Sequence, residues 1–178
     1  MKAVVDTNVL LVANGRHAEA SPDCVVTCVL RLRALEKRGV VVIDDGYRIL
    51  GEYLKKTSLT PPKGVGDLFL KWLMRNATNT RRVEQVPLKE TATDCFEEFP
   101  VPALAAAFDP PDRKFAAVAH AHPRKPPVWQ AADSKWLAWW PDLLAQGVRV
   151  DFLCPRDVLR VYRKRFPDRP DPTLPHDR

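Results

Sequence analysis

Apolar positions along the chain fall into short unbroken runs that alternate with stretches of helical spacing. Residues 3–6, AVVD, predict a brief buried strand ending on an acid. Ser21-Pro22-Asp23 opens a helix, with Ser21 as N-cap, Pro22 at the first helical position and an acid in the first turn. Val25, Val29, Leu32 and Leu35 supply its apolar stripe, and Gly39 ends it after Lys37 and Arg38. VVVI, 40–43, is a second strand, stopped by Asp44-Asp45-Gly46; a helix carrying Tyr47, Leu50, Glu52 and Leu54 follows. TPPKG, 60–64, is a break, and 65–77 an amphipathic helix.

Residues 81–88 predict a short strand, and 99–104 a proline-broken connection. Residues 109–122 read as a loop and then a helix of small apolar residues, suited to close packing. PVWQAAD, 127–133, is a strand that again ends on an acid, followed by a helix over 134–147 with Gly147 at its C-terminus. The strand 148–154 and a basic helix, 155–165, complete the pattern. Strands that are continuous apolar runs between helices predict an α/β fold with a mainly parallel sheet covered on both faces. One domain is expected over 1–165, with a proline-rich disordered tail over 166–178.

Composition changes this picture little. Of 178 residues, 46% are hydrophobic and 28% charged, an ordinary balance for a soluble chain. No apolar run is long enough to span a bilayer, and Met1-Lys2-Ala3 enters a strand without a signal-peptide core, so a cytoplasmic protein with no membrane contact is expected. The net charge of +6 suits a polyanionic partner such as nucleic acid, and equally a modestly basic soluble protein. Cys24, Cys28, Cys95 and Cys154 lack paired CxxC spacing. Cys24 and Cys28 share a helix face, yet buried reduced thiols are the expectation.

The acids carry the chemistry. In a doubly wound parallel sheet, ligands bind beyond the carboxyl ends of the strands. Asp6 stands at one such end, Asp133 at another, and Asp44 and Asp45 at a third. Asp112 begins a helix over the same edge, and Glu52 reaches back toward it from its own helix. Carboxylates that converge must be protonated, paired or metal-bound. Oxygen donors of this kind suit Mg²⁺ or Mn²⁺, which polarise a phosphoryl oxygen and activate water. Each acid also reads as a helix cap: Asp6 through Thr7 and Asn8, Asp133 before Ser134, one of Asp109 and Asp112 around Pro110-Pro111, and at least one of Asp44 and Asp45. Glu52 stands beside Ile49, Leu50 and Tyr53, which a solvated face does not explain. Their recurrence at strand ends outweighs the individual readings.

VVDTNVLL (4–11), DDGYRILGEYLKK (44–56), DPPDRKFAAVAHA (109–121) and VWQAADSKWL (128–137), in that order, resemble the four acidic motifs of PIN-domain nucleases, and GVRVDFLCPRDVL (147–159) resembles that family's closing strand and helix. The resemblance spans roughly residues 3–160. It implies a three-layer α/β/α sandwich on a mainly parallel central sheet and Mg²⁺- or Mn²⁺-dependent ribonuclease activity, with Asp6, Glu52, Asp112 and Asp133 as metal ligands. It implies that Asn8 orients Asp6 from the second shell of ligands, and that Ser134 bonds a phosphate or a ligand carboxylate. RNA is then the substrate, and a toxin role held by an antitoxin or other protein partner is implied with it. Asp112 is preferred over Asp109 because DRKFAAVA begins there; Asp44 and Asp45 are accessory at most. Residues 57–100 match no fixed pattern of the family.

Arg113 and Lys114, next to Asp112, are candidates to grip substrate phosphates, as the other basic clusters are; solvated helix faces are the plainer account of each. Trp136, Trp139 and Trp140 at helical spacing suit the core or a homodimer interface better than base stacking. His120 and His122 suit a helix C-terminus, and His17 carries no signal. A catalytically silent PIN-like module that binds nucleic acid or protein is the alternative, and four intact acids argue against it. A haloacid-dehalogenase phosphatase ranks lower, since position 8 is Asn where that chemistry wants Asp.

Overall fold

The structure, a computed structural model, describes residues 1–175. Five strands form an all-parallel central sheet: β1 (Lys2–Val5), β2 (Val40–Asp44), β3 (Val83–Val86), β6 (Val128–Gln130) and β7 (Val150–Phe152), in the order β3-β2-β1-β6-β7. Seven α-helices surround it: α1 (Thr7–Ala13), α2 (Pro22–Arg38), α3 (Arg48–Lys56), α4 (Val65–Asn76), α5 (Arg113–Ala121), α6 (Trp136–Ala145) and α7 (Pro155–Arg165). A two-stranded antiparallel hairpin, β4 (Glu90–Ala92) with β5 (Cys95–Phe96), lies apart from the sheet. The α/β class and the parallel sheet are as expected, and the arrangement is compatible with three layers.

Strand order explains where a site can form. The chain leaves β1 toward β2 on one side and later returns to place β6 on the other. Right-handed crossovers then put α1–α4 over one face and α5 and α6 over the other. The switch point falls between β1 and β6, paired Val4 to Val128 and Val5 to Trp129. Their carboxyl ends open a crevice there.

Packing follows the apolar pattern. Ala3, Val4, Val5, Val41, Val42, Ile43 and Val128 are wholly buried, as expected for strands covered on both faces. On α5, Phe115, Ala116, Ala117, Val118 and Ala119 are all buried, because small side chains let the helix lie close to the sheet. Gly66 serves the opposite layer: a Cβ there would stand 2.2 Å from the Leu10 carbonyl oxygen, so only glycine lets α4 approach α1. Ser21 caps α2 as expected, accepting from Cys24 N–H, with Pro22 in the first turn. Asp44 is wholly buried and accepts from the N–H groups of Arg48 (2.8 Å) and Ile49 (2.9 Å). It therefore satisfies the first turn of α3. Asp45 accepts only a long bond from Leu88 N–H, 3.4 Å.

Two expectations meet different structure. Cys24 and Cys154 form a disulfide, where reduced thiols were expected. The sequence conceals it because 130 residues separate the pair, and only the docking of α7 against the start of α2 brings them together. Ser21 and Asp157 seal that junction, Oγ to Oδ2 at 2.6 Å. Cys28 stays free beside the bridge, its thiol pushed up to about 12 by burial and then by the Asp157 charge. Residues 166–175, expected to be a disordered tail, make packing contacts: Leu174 is buried, Trp140 Nε1 donates to the Thr173 carbonyl at 3.1 Å, and Arg163 pairs with Asp171. The remainder of the expected tail, 176–178, lies outside the described residues. No helix among the described residues is long and apolar enough to cross a membrane.

Candidate active site

Asp6 follows β1 directly and occupies the N-cap of α1. Its Oδ1 accepts from Asn8 N–H at 2.8 Å, so the capping role is real. That bond uses one oxygen only. Oδ2 is buried and has no hydrogen-bond partner. A buried carboxylate oxygen without a donor costs free energy unless it is protonated or meets a cation.

Burial first, and three neighbouring acids after it, disfavour the charged form of Asp6. Burial raises its pKa well above the ordinary range, and the charges of Asp112, Asp133 and Glu52 raise it further, against the Asn8 N–H bond. Asp112, at the start of α5, is raised to about 7 by burial and then by Asp133, Glu52 and Asp109, with Lys135 opposing. Glu52, Asp109, Asp112 and Asp133 line one crevice of about 590 Å³. All four residues expected to ligate a metal are thus brought to one place, at the switch point of the sheet. Asp109 joins them, which the sequence left open.

Arg48, Lys55, Lys56, Lys114 and Lys135 also line the crevice, and the last two reach its acids. Lys114 is 4% exposed, and its Nζ donates to Glu52 Oε2 and to the Pro111 carbonyl. Lys135 Nζ contacts Asp109 Oδ2 and lies 3.8 Å from Asp133 Oδ2. Thr7 Oγ1 donates to Glu52 Oε1 at 2.6 Å, so Glu52 is oriented through both oxygens. Oxygen donors gathered in one crevice suit a divalent ion that takes the place of their protons. The acids nonetheless stand apart: among the described residues no three carboxylates have oxygens within 4.8 Å of one another, and only the sulfurs of the Cys24–Cys154 bridge and Cys28 draw that close. A 980 Å³ cavity alongside β3, lined by Lys2, Glu84 and His122, holds none of the predicted site residues.

The supporting residues depart from expectation. Asn8 gives Asp6 a backbone N–H, while its side chain accepts from Ala131 N–H (3.1 Å) and Ala132 N–H (3.2 Å). It therefore ties α1 to the turn that carries Asp133. Ser134 is buried, and its carbonyl accepts from Leu137 N–H. Arg113 does not face a substrate path: its guanidinium donates to the carbonyls of Asp94, Ala105 and Phe108 and to Cys95 Sγ, pinning the 94–108 segment. Lys114 holds Glu52 and is not free for phosphate. His120 and His122 stay outside the crevice, bound to the Glu98 carbonyl (3.0 Å) and to Glu84 (2.6 Å). Trp136, Trp139 and Trp140 are buried, the first two in an aromatic cluster with Phe108.

Thr7 and Lys135 are the site residues the sequence did not single out. Lys135 carried a signal, standing two residues after Asp133; Thr7 carried one too, beside Asp6. Comparison with known proteins finds no matching family model, no matching curated protein and no matching solved structure.

Proposed function

We propose that this chain is a metal-dependent ribonuclease of the PIN type, hydrolysing phosphodiester bonds of RNA with Mg²⁺ or Mn²⁺. The observation that carries the reading is Asp6: a buried carboxylate with one oxygen unpartnered, set among Glu52, Asp112 and Asp133 at the sheet's switch point. Hard oxygen donors, one of them buried without a partner, fit a divalent cation of this class. The same four residues would hold it. Bound there, the metal supplies Lewis-acid activation of water and of the phosphoryl oxygen.

The chain's own groups do the rest. Thr7 and Lys114 fix Glu52. Asn8 holds the turn before Asp133. Lys135, poised between Asp109 and Asp133, would offer its ammonium to a phosphate oxygen in the crevice. A toxin role held by an antitoxin, in the cytoplasm, belongs to this proposal.

One observation favours a second reading. The open spacing of the acids and the two lysines between them also suit a silent module that binds nucleic acid or protein without cutting. The test is cleavage of a labelled single-stranded RNA pool with Mn²⁺, with Mg²⁺ and with EDTA, beside Asp6→Asn. Metal-dependent cutting lost in the variant supports the nuclease; RNA bound and left intact under every metal supports the silent module.

A further inference from the structure

A second groove, about 230 Å³, runs from the crevice toward α7 and shares Asp109 and Lys135 with it. Its far end is built from Trp139, Tyr162, Arg165, Phe166 and Arg169. The basic residues of this region divide into two sets. Arg160, Arg163 and Lys164 are paired with carboxylates: Arg160 with Asp157 and Glu19, Lys164 with Glu19, Arg163 with Asp171. Arg165 and Arg169 have no ion pair among the described residues. Both lie over the Phe166 ring, 5.5 and 4.8 Å from its centroid. Tyr162 stacks at a tilt on the same ring, centroids 5.0 Å apart. Both guanidinium groups thus rest against the Phe166 ring, and neither has an ion pair among the described residues.

We propose that this groove is a nucleotide subsite for a single-stranded chain leaving the crevice: Arg165 and Arg169 take the phosphate next to the one in the crevice, and Tyr162 takes its base. The inference rests on the phosphodiesterase reading of the crevice. The groove, about 230 Å³, is on the order of a single nucleotide in size. Aromatic faces stack any unpaired base, and guanidinium forks match phosphate oxygens. Lys135, at the junction, lies between the two phosphate positions.

The experiment is binding of a fluorescein-labelled ten-residue oligouridylate to the full chain in EDTA, so that no cleavage intervenes. The same oligonucleotide carrying single abasic positions serves as the second probe. Arg165→Ala/Arg169→Ala is expected to weaken binding at least tenfold and to lower the slope of log K against log salt by about 0.7, for one phosphate neutralised on a single strand. Tyr162→Leu is expected to lose about tenfold with the intact strand, and little with the strand lacking the stacked base. Thermal melts confirm that the variants fold. Unchanged affinity in both variants, while the unaltered chain still binds and cuts RNA, overturns the subsite and leaves the crevice reading standing. Equal displacement by polyglutamate, with no abasic effect in any position, also overturns it, since the groove is then a general polyanion surface. An unaltered chain that neither binds nor cuts RNA removes both readings together.

Discussion

Replacing Asp112 by Asn separates charge confrontation in the crevice from every other role of that residue. Its carboxyl sits at the start of α5 without a capping bond, so Asn costs the helix nothing there. Burial and the neighbouring acids move its pKa from an ordinary 3.8 to about 7. The folded protein therefore holds this proton to higher pH than the unfolded chain does. Its contribution to stability falls as pH rises from about 4 to about 7 and is constant above that. At about 1.4 kcal/mol for each pH unit, the full loss is on the order of 4 kcal/mol. Relaxation of neighbouring side chains and water reduces it, and about 2 kcal/mol is a fair lower figure. In EDTA, Asp112→Asn should then match the unaltered protein near pH 4 and melt above it by about 4–16 °C at pH 8. Mn²⁺ should narrow the gap by stabilising the unaltered chain alone. Thermal melts across pH, with EDTA or Mn²⁺, read this directly. Equal melting temperatures at pH 8 in EDTA would refute the picture of an Asp112 carboxyl buried beside other acids.

Two further outcomes follow from the surrounding structure. Arg113→Lys should lower stability by about 2 kcal/mol, because an ammonium cannot reach the three carbonyls and the thiol that the guanidinium spans; RNA affinity should hold, and a selective loss of affinity would return Arg113 to the substrate path. Cys154→Ser should cost about 2–4 kcal/mol in urea denaturation, and reduction should do the same to the unaltered chain; a denaturation midpoint indifferent to both would mean that the bridge does not hold α7 to α2.

The parts of the site that the sequence made legible are those encoded by short-range pattern. Asp6 and Asp133 follow apolar runs, Glu52 breaks the apolar side of a helix, and Asp112 opens a stretch of small residues. Each signal spans a few positions, and the parallel topology then carries all four to one edge. The alternation of strands and helices was legible for the same reason. What escaped depends on distant partners. Asn8 bonds a turn 123 residues away, and the Cys24–Cys154 bridge needs α7 in place. The polar hairpin of β4 and β5 is largely exposed and leaves no apolar alternation to read. Leu174 hides among prolines, where one leucine is too little pattern to predict a docked segment. Lys114 looked like a phosphate ligand because its neighbour Asp112 was in view and its partner Glu52, 62 positions earlier, was not.

Calorimetric titration of Mn²⁺ into metal-stripped protein near pH 7, in buffers of different ionisation enthalpy and beside Asp6→Asn and Asp112→Asn, tests the crevice most directly. The account predicts saturable uptake with proton release, because carboxyls held protonated by burial and repulsion give up protons to the cation, and it predicts loss of that uptake in both variants. No uptake at millimolar Mn²⁺, or uptake that neither substitution changes, would contradict it.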